Sequence, residues 1–280
     1  MLRRLTFALY GCLVMGGVGA AGTSTAPSDS GRTEWVNIPA GRLKLRVYQA
    51  EQVSSHPLLV FVLHGDFPRP PPAYQYDFAR MVTEQVPDVI AAGVLRPGYS
   101  DPSGDQSSGE LGNWAGDNYT RQVIDAVAQA VEQLRSESGA RAVILVGHSG
   151  GAAIAADVIG RHPGLAQGAL LVSCPCDVPA WRAYMKDKRP PEQAGIWEGP
   201  VATVSPVSLA ADVPRATRVR LVVGSADDVA PPPFSQEYAE ALTRHGVDVR
   251  LNVEPGLDHN ILLAPAAMTE LKSLITEFAR

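Results

Sequence analysis

Short apolar runs alternate along the chain with stretches in which apolar residues recur every three to four positions. The runs have the length of strands buried on both faces, and the stretches have the period of amphipathic helices. Strands separated by covering helices predict an α/β fold, a mostly parallel sheet with helices on both faces. Its predicted strands are Leu58–Leu63, Val89–Leu95, Arg141–Val146, Leu165–Ser173, Arg218–Val223 and Val247–Val253.

The first two predicted strands differ from the others, because they are adjacent in sequence with no helix between them. The segments Glu34–Pro39 and Arg42–Gln49 flank the turn residues Ala40 and Gly41, which predicts an antiparallel hairpin. The predicted helices cover residues 74–85, Asn118–Ser136, Gly150–Arg161, the region Gln236–His245 and the stretch from Met268 to Phe278.

Two long segments interrupt the alternation. Tyr99–Asp117 is rich in Gly, Ser and Asp and is predicted to be a loop. Residues 177–213 place Trp181, Tyr184 and Trp197 among prolines and charges. A long insertion after a strand often covers the site, so we expect a cap or lid. An irregular surface connection is the alternative.

The N-terminus has the layout of a secretory signal peptide. Arg3 and Arg4 precede an uncharged stretch that ends in small residues near Ala20 and Ala21. We therefore expect a signal peptide over residues 1–21, a flexible segment over 22–33, a single domain over 34–280, and a secreted or periplasmic protein. An uncleaved membrane anchor is the alternative, but repeated glycines weaken the stretch as a helix, so we expect no stable membrane insertion after cleavage.

Composition narrows the class of protein. Of 280 residues, 45% are hydrophobic and 19% are charged, which is an ordinary globular balance. The net charge is −5, and residues 1–20 contain two arginines and no acid, so the exported chain would be still more acidic. Such a chain is a poor candidate for binding nucleic acid.

Cys174 and Cys176 would be the only cysteines after cleavage. In an oxidising compartment they could form a local disulfide, and two free thiols are the equally weighted alternative. No Cys or His lies nearby at ligand spacing, so we expect no metal site.

The segment Gly147-His148-Ser149-Gly150-Gly151 lies between a predicted strand and a predicted helix. The pattern G-x-S-x-G in this context describes a sharp turn that projects a serine hydroxyl above the sheet. Gly147 and Gly151 are required because side chains there would collide in so tight a turn. Ser149 is therefore the predicted nucleophile.

A serine hydroxyl is a weak nucleophile, so an imidazole must accept its proton and a carboxylate should orient that imidazole. Asp227 and His259 each follow a predicted strand, at the carboxyl edge where open α/β sheets place their ligand sites. The order Ser149, Asp227, His259 is the order of this type of site. Asp228 and Asp258 are the alternatives for the acid, and Asp258 is better explained as a turn residue.

Of the remaining histidines, two lie near the expected site. His148 is inside the serine turn and is expected to shape or pack it, and His64 is expected to support its own loop through hydrogen bonds. His56, His162 and His245 occupy loop or helix-end positions and are expected to be solvated. His259 is the predicted base.

Attack on a carbonyl creates an oxyanion that needs two preorganised donors. We expect one to be the Gly150 N–H. The second should come from the loop after Leu58–Leu63, with the Asp66 N–H as first choice and the Phe67 N–H as second. Only the backbone of Asp66 is assigned a role, because its negative side chain is unfavourable there unless it points away or is paired.

Together these motifs resemble the α/β-hydrolase superfamily from about Val36 to the C-terminus. The segment Arg96-Pro97-Gly98-Tyr99-Ser100 resembles the loop after the fourth strand in many members. The stretch from Ser205 through Asp227 to His259 is similar to the catalytic domain of prolyl-oligopeptidase-like and dienelactone-hydrolase-like proteins. The resemblance implies an eight-stranded sheet and no cofactor.

The oligopeptidases carry a propeller domain before the hydrolase domain, and only the twelve residues 22–33 separate the predicted signal peptide from the first strand here. This difference favours an esterase. We therefore expect an exported enzyme that cleaves a small-molecule carboxylic ester through an acyl-enzyme on Ser149. The alternatives are a serine peptidase or amidase acting on short peptides, and a non-catalytic binding domain of the same fold.

Overall fold

The computed structural model describes residues 31–67 and 69–278. Within them one sheet contains eight strands in the spatial order β1-β2-β4-β3-β5-β6-β7-β8. The strands are β1 (Arg32–Ile38), β2 (Gly41–Gln49), β3 (Leu58–Leu63), β4 (Val89–Leu95), β5 (Ala142–His148), β6 (Gly168–Val172), β7 (Arg218–Gly224) and β8 (Asp248–Glu254).

The direction of the strands confirms the predicted sheet. β1 pairs with β2, and β2 with β4, in antiparallel fashion, whereas the pairs from β4 through β3 to β8 are all parallel. The N-terminal pair is the predicted hairpin. Because the parallel strands share one carboxyl edge, the loops that follow β3, β5, β7 and β8 meet there.

Helices cover both faces of the sheet. The helices are α1 (Tyr74–Gln85), α2 (Arg121–Ser138), α3 (Gly150–Arg161), α4 (Val178–Asp187), α5 (Pro191–Ala194), α6 (Pro232–Arg244) and α7 (Pro265–Thr276). Alternate residues of β3 enter two separate cores, because successive strand side chains point to opposite faces. Leu59, Phe61 and Leu63 pack with residues of α2, α3 and α6, while Leu58 and Val60 pack with residues of α1 and α7.

Several element boundaries differ from the predicted ones for local reasons. α2 begins at Arg121, three residues late, because Thr120 caps it by accepting the Val123 N–H, and it ends at Gly139 with a φ of 63°. α6 begins at Pro232, earlier than expected, because proline fits the first helical turn.

At the N-terminus, β1 begins at Arg32, inside the segment expected to be flexible. The predicted signal peptide lies outside the described residues. No helix within residues 31–67 and 69–278 is long and apolar enough to cross a bilayer.

The segment over residues 177–213 is largely helical. Asp177 caps α4 by accepting the Ala180 N–H at 3.2 Å, and α5 and two 3-10 turns follow. Trp181 and Trp197 are buried against each other, with ring centroids 5.3 Å apart. Just before α4, a disulfide joins Cys174 and Cys176. The segment is thus anchored by an aromatic pair, and its role as a cap stays a prediction.

Asp157 lies on α3 and is fully buried, and within the described residues neither carboxylate oxygen has a hydrogen-bond partner. Burial raises the pKa of this carboxyl well above its usual value. Below about pH 4 the group is protonated in both the folded and the unfolded chain. Above that pH only the unfolded chain ionises, so folding takes up a proton and the free energy of unfolding falls as pH rises.

Asp157→Asn should therefore stabilise the protein increasingly with pH. The expected gain grows by about 1.4 kcal/mol per pH unit until the folded-state pKa of Asp157 is reached. Urea unfolding of both proteins between pH 5 and pH 8 measures it, and effects of other titrating groups cancel in the difference. A difference that stays constant with pH would show that Asp157 is ionised in the folded protein.

Candidate active site

The serine turn places Ser149 between β5 and α3. Ser149 has a φ of 54° and a ψ of −124°, a conformation that residues other than glycine rarely adopt. The turn is held on both sides, since the Ser149 N–H donates to Val172 O at 2.8 Å and Ala152 N–H donates to Ser149 O at 2.8 Å. The strain is thus imposed by the sheet and the helix, and it projects the side chain away from both.

The two outer glycines of the motif are needed for different contacts. A Cβ on Gly147 would lie 2.3 Å from Gly151 O, inside the turn itself. A Cβ on Gly151 would lie 2.4 Å from His64 O, on the loop that follows β3. The second glycine therefore lets α3 approach the neighbouring strand, a constraint that the motif alone does not reveal.

The loops after β7 and β8 are hydrogen-bonded to each other. Gly224 allows this approach, because a Cβ there would lie 2.0 Å from Leu257 O. The Ala226 N–H donates to Leu257 O at 2.9 Å, and the Gly256 N–H donates to Ser225 Oγ at 2.8 Å. These bonds fix the distance between the loop that carries Asp227 and the loop that carries His259.

The structure brings Ser149, His259 and Asp227 together in one hydrogen-bonded row. Ser149 Oγ lies 2.9 Å from His259 Nε2, and His259 Nδ1 lies 3.0 Å from each carboxylate oxygen of Asp227. A carboxylate at Nδ1 favours the tautomer in which Nδ1 carries the proton, so Nε2 is free to accept one from Ser149.

The environment of Asp227 keeps it ionised. Burial by itself would raise its pKa, but the hydrogen bond and charge of His259 and the Ala230 N–H outweigh that effect and lower it. Asp227 Oδ1 also accepts the Val229 N–H at 3.0 Å. The carboxylate is therefore both charged and fixed in direction.

The structure places the alternative acids elsewhere. Asp228 is exposed and bonds to Lys188, 3.2 Å away. Asp258 accepts the Asn260 N–H at 2.9 Å within its own turn. Neither bonds to His259 among the described residues.

His148 and His64 are buried supports of the surrounding backbone. His148 Nε2 donates to His259 O at 2.8 Å, and Tyr74 Oη donates to His148 Nδ1 at 2.9 Å. Burial, with the nearby charge of His259, lowers the pKa of His148 to about 4, so its ring is neutral at pH 7. His64 Nε2 accepts the Arg96 N–H at 3.0 Å, which joins the residue after β3 to the residue after β4.

The hydroxyl of Tyr74 links two loops of the site. It accepts the Gly65 N–H, 2.5 Å away, while it donates to His148. Ser173 Oγ also donates to His259 O at 3.2 Å. The backbone of His259 is thereby tied both to the serine turn and to the loop after β3.

The loop after β3 lies against the serine turn. A Cβ on Gly65 would lie 3.0 Å from Ser149 Cβ, and a Cβ on Gly150 would lie 2.1 Å from Asp66 Oδ1. No partner among the described residues bonds the N–H of Gly150 or of Asp66. The role of these two amides as oxyanion donors stays a prediction.

The carboxylate of Asp66 is neutralised in place. Arg96 Nη1 donates to Asp66 Oδ1 at 2.9 Å, and Tyr119 Oη donates to the other oxygen. The Arg96 side chain is fully buried beneath the loop. This pairing meets the condition under which a negative side chain can lie beside a developing anion.

Ser149 and His259 open into a cleft of about 650 Å³. Most of its lining is apolar or aromatic, and Tyr74 and Arg189 add polar groups. The apolar lining includes Phe67, Trp114, Trp181, Met185, Trp197 and Val229. A larger groove of about 1200 Å³ lies along the start of α2, away from Ser149.

Within residues 31–67 and 69–278, no three His, Cys, Asp or Glu side chains are grouped so that they could hold a metal ion. At the cleft, Ser149 with His259 Nε2 at 2.9 Å can support proton transfer and nucleophilic attack.

The sheet order and the arrangement around Ser149 define a hydrolase of the serine α/β-hydrolase type. Residues 101–280 match the model of the prolyl oligopeptidase family, Peptidase_S9. The chain belongs to the prolyl oligopeptidase family. No curated protein matches it.

Solved structures with the same fold include peptidases and esterases. An acylaminoacyl peptidase in complex with Z-Gly-Gly-Phe-chloromethyl ketone is 16% identical with a TM-score of 0.65, and the match covers 89% of this chain and 41% of that one. Est1E from Butyrivibrio proteoclasticus is 12% identical with a TM-score of 0.65, and the match covers 89% of this chain and 99% of that one. An esterase from Pyrococcus furiosus is 17% identical with a TM-score of 0.64, and the match covers 89% of this chain and 91% of that one.

This chain thus spans about two fifths of the length of the acylaminoacyl peptidase. At these identities the likeness shows the fold alone.

Sequence reasoning missed four side chains around the site: Tyr74, Trp114, Ser173 and Arg189. Tyr74 and Ser173 act through hydrogen bonds between loops, and Trp114 and Arg189 face the cleft from two separate segments. Only the aromatic content of the insertion gave a signal, and it pointed to Trp181 and Trp197.

Proposed function

We propose that this chain hydrolyses carboxylic esters through an acyl-enzyme on Ser149. The observation that carries the proposal is the row in which Ser149 Oγ, the His259 ring and the Asp227 carboxylate are joined at 2.9 and 3.0 Å. That row supplies a nucleophile, a base and an orienting carboxylate in contact with one another.

In the first half of the reaction, Ser149 Oγ attacks the ester carbonyl carbon and His259 Nε2 takes its proton. Asp227 holds the resulting imidazolium at Nδ1. The Gly150 and Asp66 N–H groups donate to the oxyanion, and each such donor is worth roughly 10²- to 10³-fold in rate. When the tetrahedral intermediate collapses, the bond to the leaving oxygen breaks and His259 returns the proton to it.

In the second half, water replaces the alcohol. His259 takes a proton from this water, whose oxygen attacks the acyl carbon, and the bond to Ser149 Oγ breaks as His259 returns the proton to Ser149. The products are the alcohol and the carboxylic acid, and the enzyme is restored.

The charges of the cleft favour esters over peptides with a free amino terminus. Among the described residues that line it, only Asp66 carries a carboxylate, and Arg96 already neutralises that group. An ammonium group would therefore find no unpaired carboxylate among the described lining residues, whereas an uncharged ester needs none.

Peptide or amide hydrolysis is the second candidate function. It is favoured by membership of the prolyl oligopeptidase family, because the same attack and proton transfers cleave an amide. The leaving amine must then be protonated by His259 before it departs.

A comparison of an ester and an amide with the same acyl group decides between the two. Acetyl-phenylalanine methyl ester and acetyl-phenylalanine amide differ only in the leaving group, so the ratio of their kcat/KM values reports the chemical preference. We expect turnover of the methyl ester. With an aryl ester of the same acid, an initial burst of the released phenol should mark formation of the acyl-enzyme. Comparable kcat/KM for the amide would favour the peptidase, and no turnover of either would favour a binding domain.

Export through an N-terminal signal peptide is proposed as well. The Cys174–Cys176 disulfide supports it, since disulfides persist in oxidising compartments. The expected result is a mature N-terminus near Ala21 when the exported protein is sequenced, and an N-terminus at Met1 would contradict it.

A further inference from the structure

Three cations, Lys186, Lys188 and Arg189, follow closely in sequence at the end of α4, and two of them are paired with carboxylates. Lys186 pairs with Glu198 at 3.0 Å, and Lys188 pairs with Asp228 at 3.2 Å. Among the described residues Arg189 has no carboxylate partner, and its guanidinium carbon lies 5.9 Å from the ring centre of Trp197. Arg189 lines the cleft that contains Ser149.

The rest of the cleft does not balance this charge. Among the described lining residues the one acid, Asp66, is paired with the buried Arg96. Arg189 is exposed, and an unpaired guanidinium in a mostly apolar cleft attracts anions and repels cations. Its planar donors match the two oxygens of a carboxylate.

A second feature of the cleft is the strained conformation of Trp114. This residue has a φ of 60°, which is costly for a bulky side chain, and 39% of its surface is exposed. Asp117 holds the strained loop by accepting the Asn113 N–H at 2.8 Å and the Ala115 N–H at 3.2 Å, on either side of Trp114.

The insertion supports the same loop from the other side. Arg182 donates to Ala115 O, and a Cβ on Gly116 would lie 2.8 Å from the Trp181 ring. Strain of this kind persists only where the surroundings impose it, and it concentrates at ligand sites. Here it presents a large aromatic side chain to the cleft.

We propose that the cleft takes an ester that carries an aromatic ring and, beyond the ring, a negative charge. The ring packs on Trp114, and the anion binds the guanidinium of Arg189. This inference rests on the proposed esterase function and names the class of substrate for that site.

The charge is tested with two substrates of nearly the same shape. Methyl 4-carboxybenzoate is anionic, and methyl 4-carbamoylbenzoate is its neutral counterpart. We expect kcat/KM for the anion to exceed that for the amide by about fivefold at low salt, which is the upper range for an exposed ion pair. The preference should shrink in 0.5 M NaCl because salt screens exposed charges.

Variants locate the origin of this preference. Arg189→Gln should bring the ratio of the two kcat/KM values to about one. Lys186→Gln removes a neighbouring cation that is already paired, so it should leave the ratio unchanged. A ratio of about one in the wild-type protein, or a preference for the anion that survives in Arg189→Gln, overturns the assignment of Arg189.

The aromatic part is tested at Trp114. Trp114→Leu keeps an apolar side chain without the ring and should lower kcat/KM for methyl 4-carboxybenzoate by roughly threefold to tenfold, whereas Trp114→Phe should retain most of it. The methyl monoester of cyclohexane-1,4-dicarboxylic acid lacks the aromatic ring and should respond little. An equal loss for both esters overturns the aromatic preference.

Two controls separate this inference from the function on which it rests. Turnover of 4-nitrophenyl acetate, which is small and uncharged, reports the esterase function without Arg189 or Trp114. If it is hydrolysed and the charge preference is absent, only the substrate class is wrong. If 4-nitrophenyl acetate is not hydrolysed, the subsite is tested by binding of the two benzoate esters to Ser149→Ala, measured by tryptophan fluorescence. Tighter binding of the anionic ester supports the proposed subsite, and equal binding of the two esters overturns it.

Discussion

His259→Ala is expected to lower kcat for ester hydrolysis by about 10⁶-fold, the scale on which removal of a triad histidine acts. Nε2 of this ring is the acceptor within reach of Ser149 Oγ, at 2.9 Å. Without it the hydroxyl keeps its proton and stays a weak nucleophile. Steady-state hydrolysis of 4-nitrophenyl acetate, with circular dichroism to verify folding, measures the loss.

His148→Ala is the matched control, because both rings lie beside Ser149 and their centroids are 5.0 Å apart. His148 donates to the backbone of His259 and does not take the serine proton. Its loss should loosen the position of His259 and cost less than about 10²-fold, consistent with a 1 Å misplacement. Equal losses in the two variants would mean that the base has been assigned to the wrong ring.

Asp227→Asn is expected to lower kcat by about 10⁴-fold. The amide has nearly the shape of the carboxylate, so the Val229 and Ala230 N–H groups can still bond to its oxygen. It carries no charge to stabilise the imidazolium, and its NH₂ group can turn the His259 ring to the wrong tautomer. The proton that Ser149 must give up then has no acceptor at Nε2.

Asp228→Asn tests the alternative acid in the same loop. Asp228 is exposed, and its side chain bonds to Lys188, so the substitution should leave kcat within about twofold of wild type, as surface changes generally do. A large loss in Asp228→Asn with a small one in Asp227→Asn would reverse the assignment of the two residues.

Much of the fold could be predicted because the strands are continuous apolar runs. Leu58–Leu63 and Val89–Leu95 are buried along their whole length, and their predicted boundaries are the observed ones. Helix ends were less predictable, since α2 begins where the Thr120 side chain caps it rather than where the apolar period starts. Local hydrogen bonds set such ends, and hydrophobic periodicity does not record them.

The row of Ser149, Asp227 and His259 could be predicted because each residue follows a strand and parallel strands share one edge. The pairing of Asp66 with Arg96 could not, since 30 residues separate them and their contact depends on how two loops fold over the sheet. Trp114 and Arg189 were missed for the same reason. Both line the cleft, and the loop after β4 packs on the 177–213 insertion where Gly116 lies against Trp181.

The nucleophile itself can be located directly. A fluorophosphonate reacts with an activated serine and leaves a covalent adduct whose position is read by mass spectrometry of the digested protein. We predict stoichiometric labelling on Ser149, with none in Ser149→Ala and strongly slowed labelling in His259→Ala. Labelling that persists unchanged in Ser149→Ala, or the absence of any adduct on the folded wild-type protein, would contradict the account.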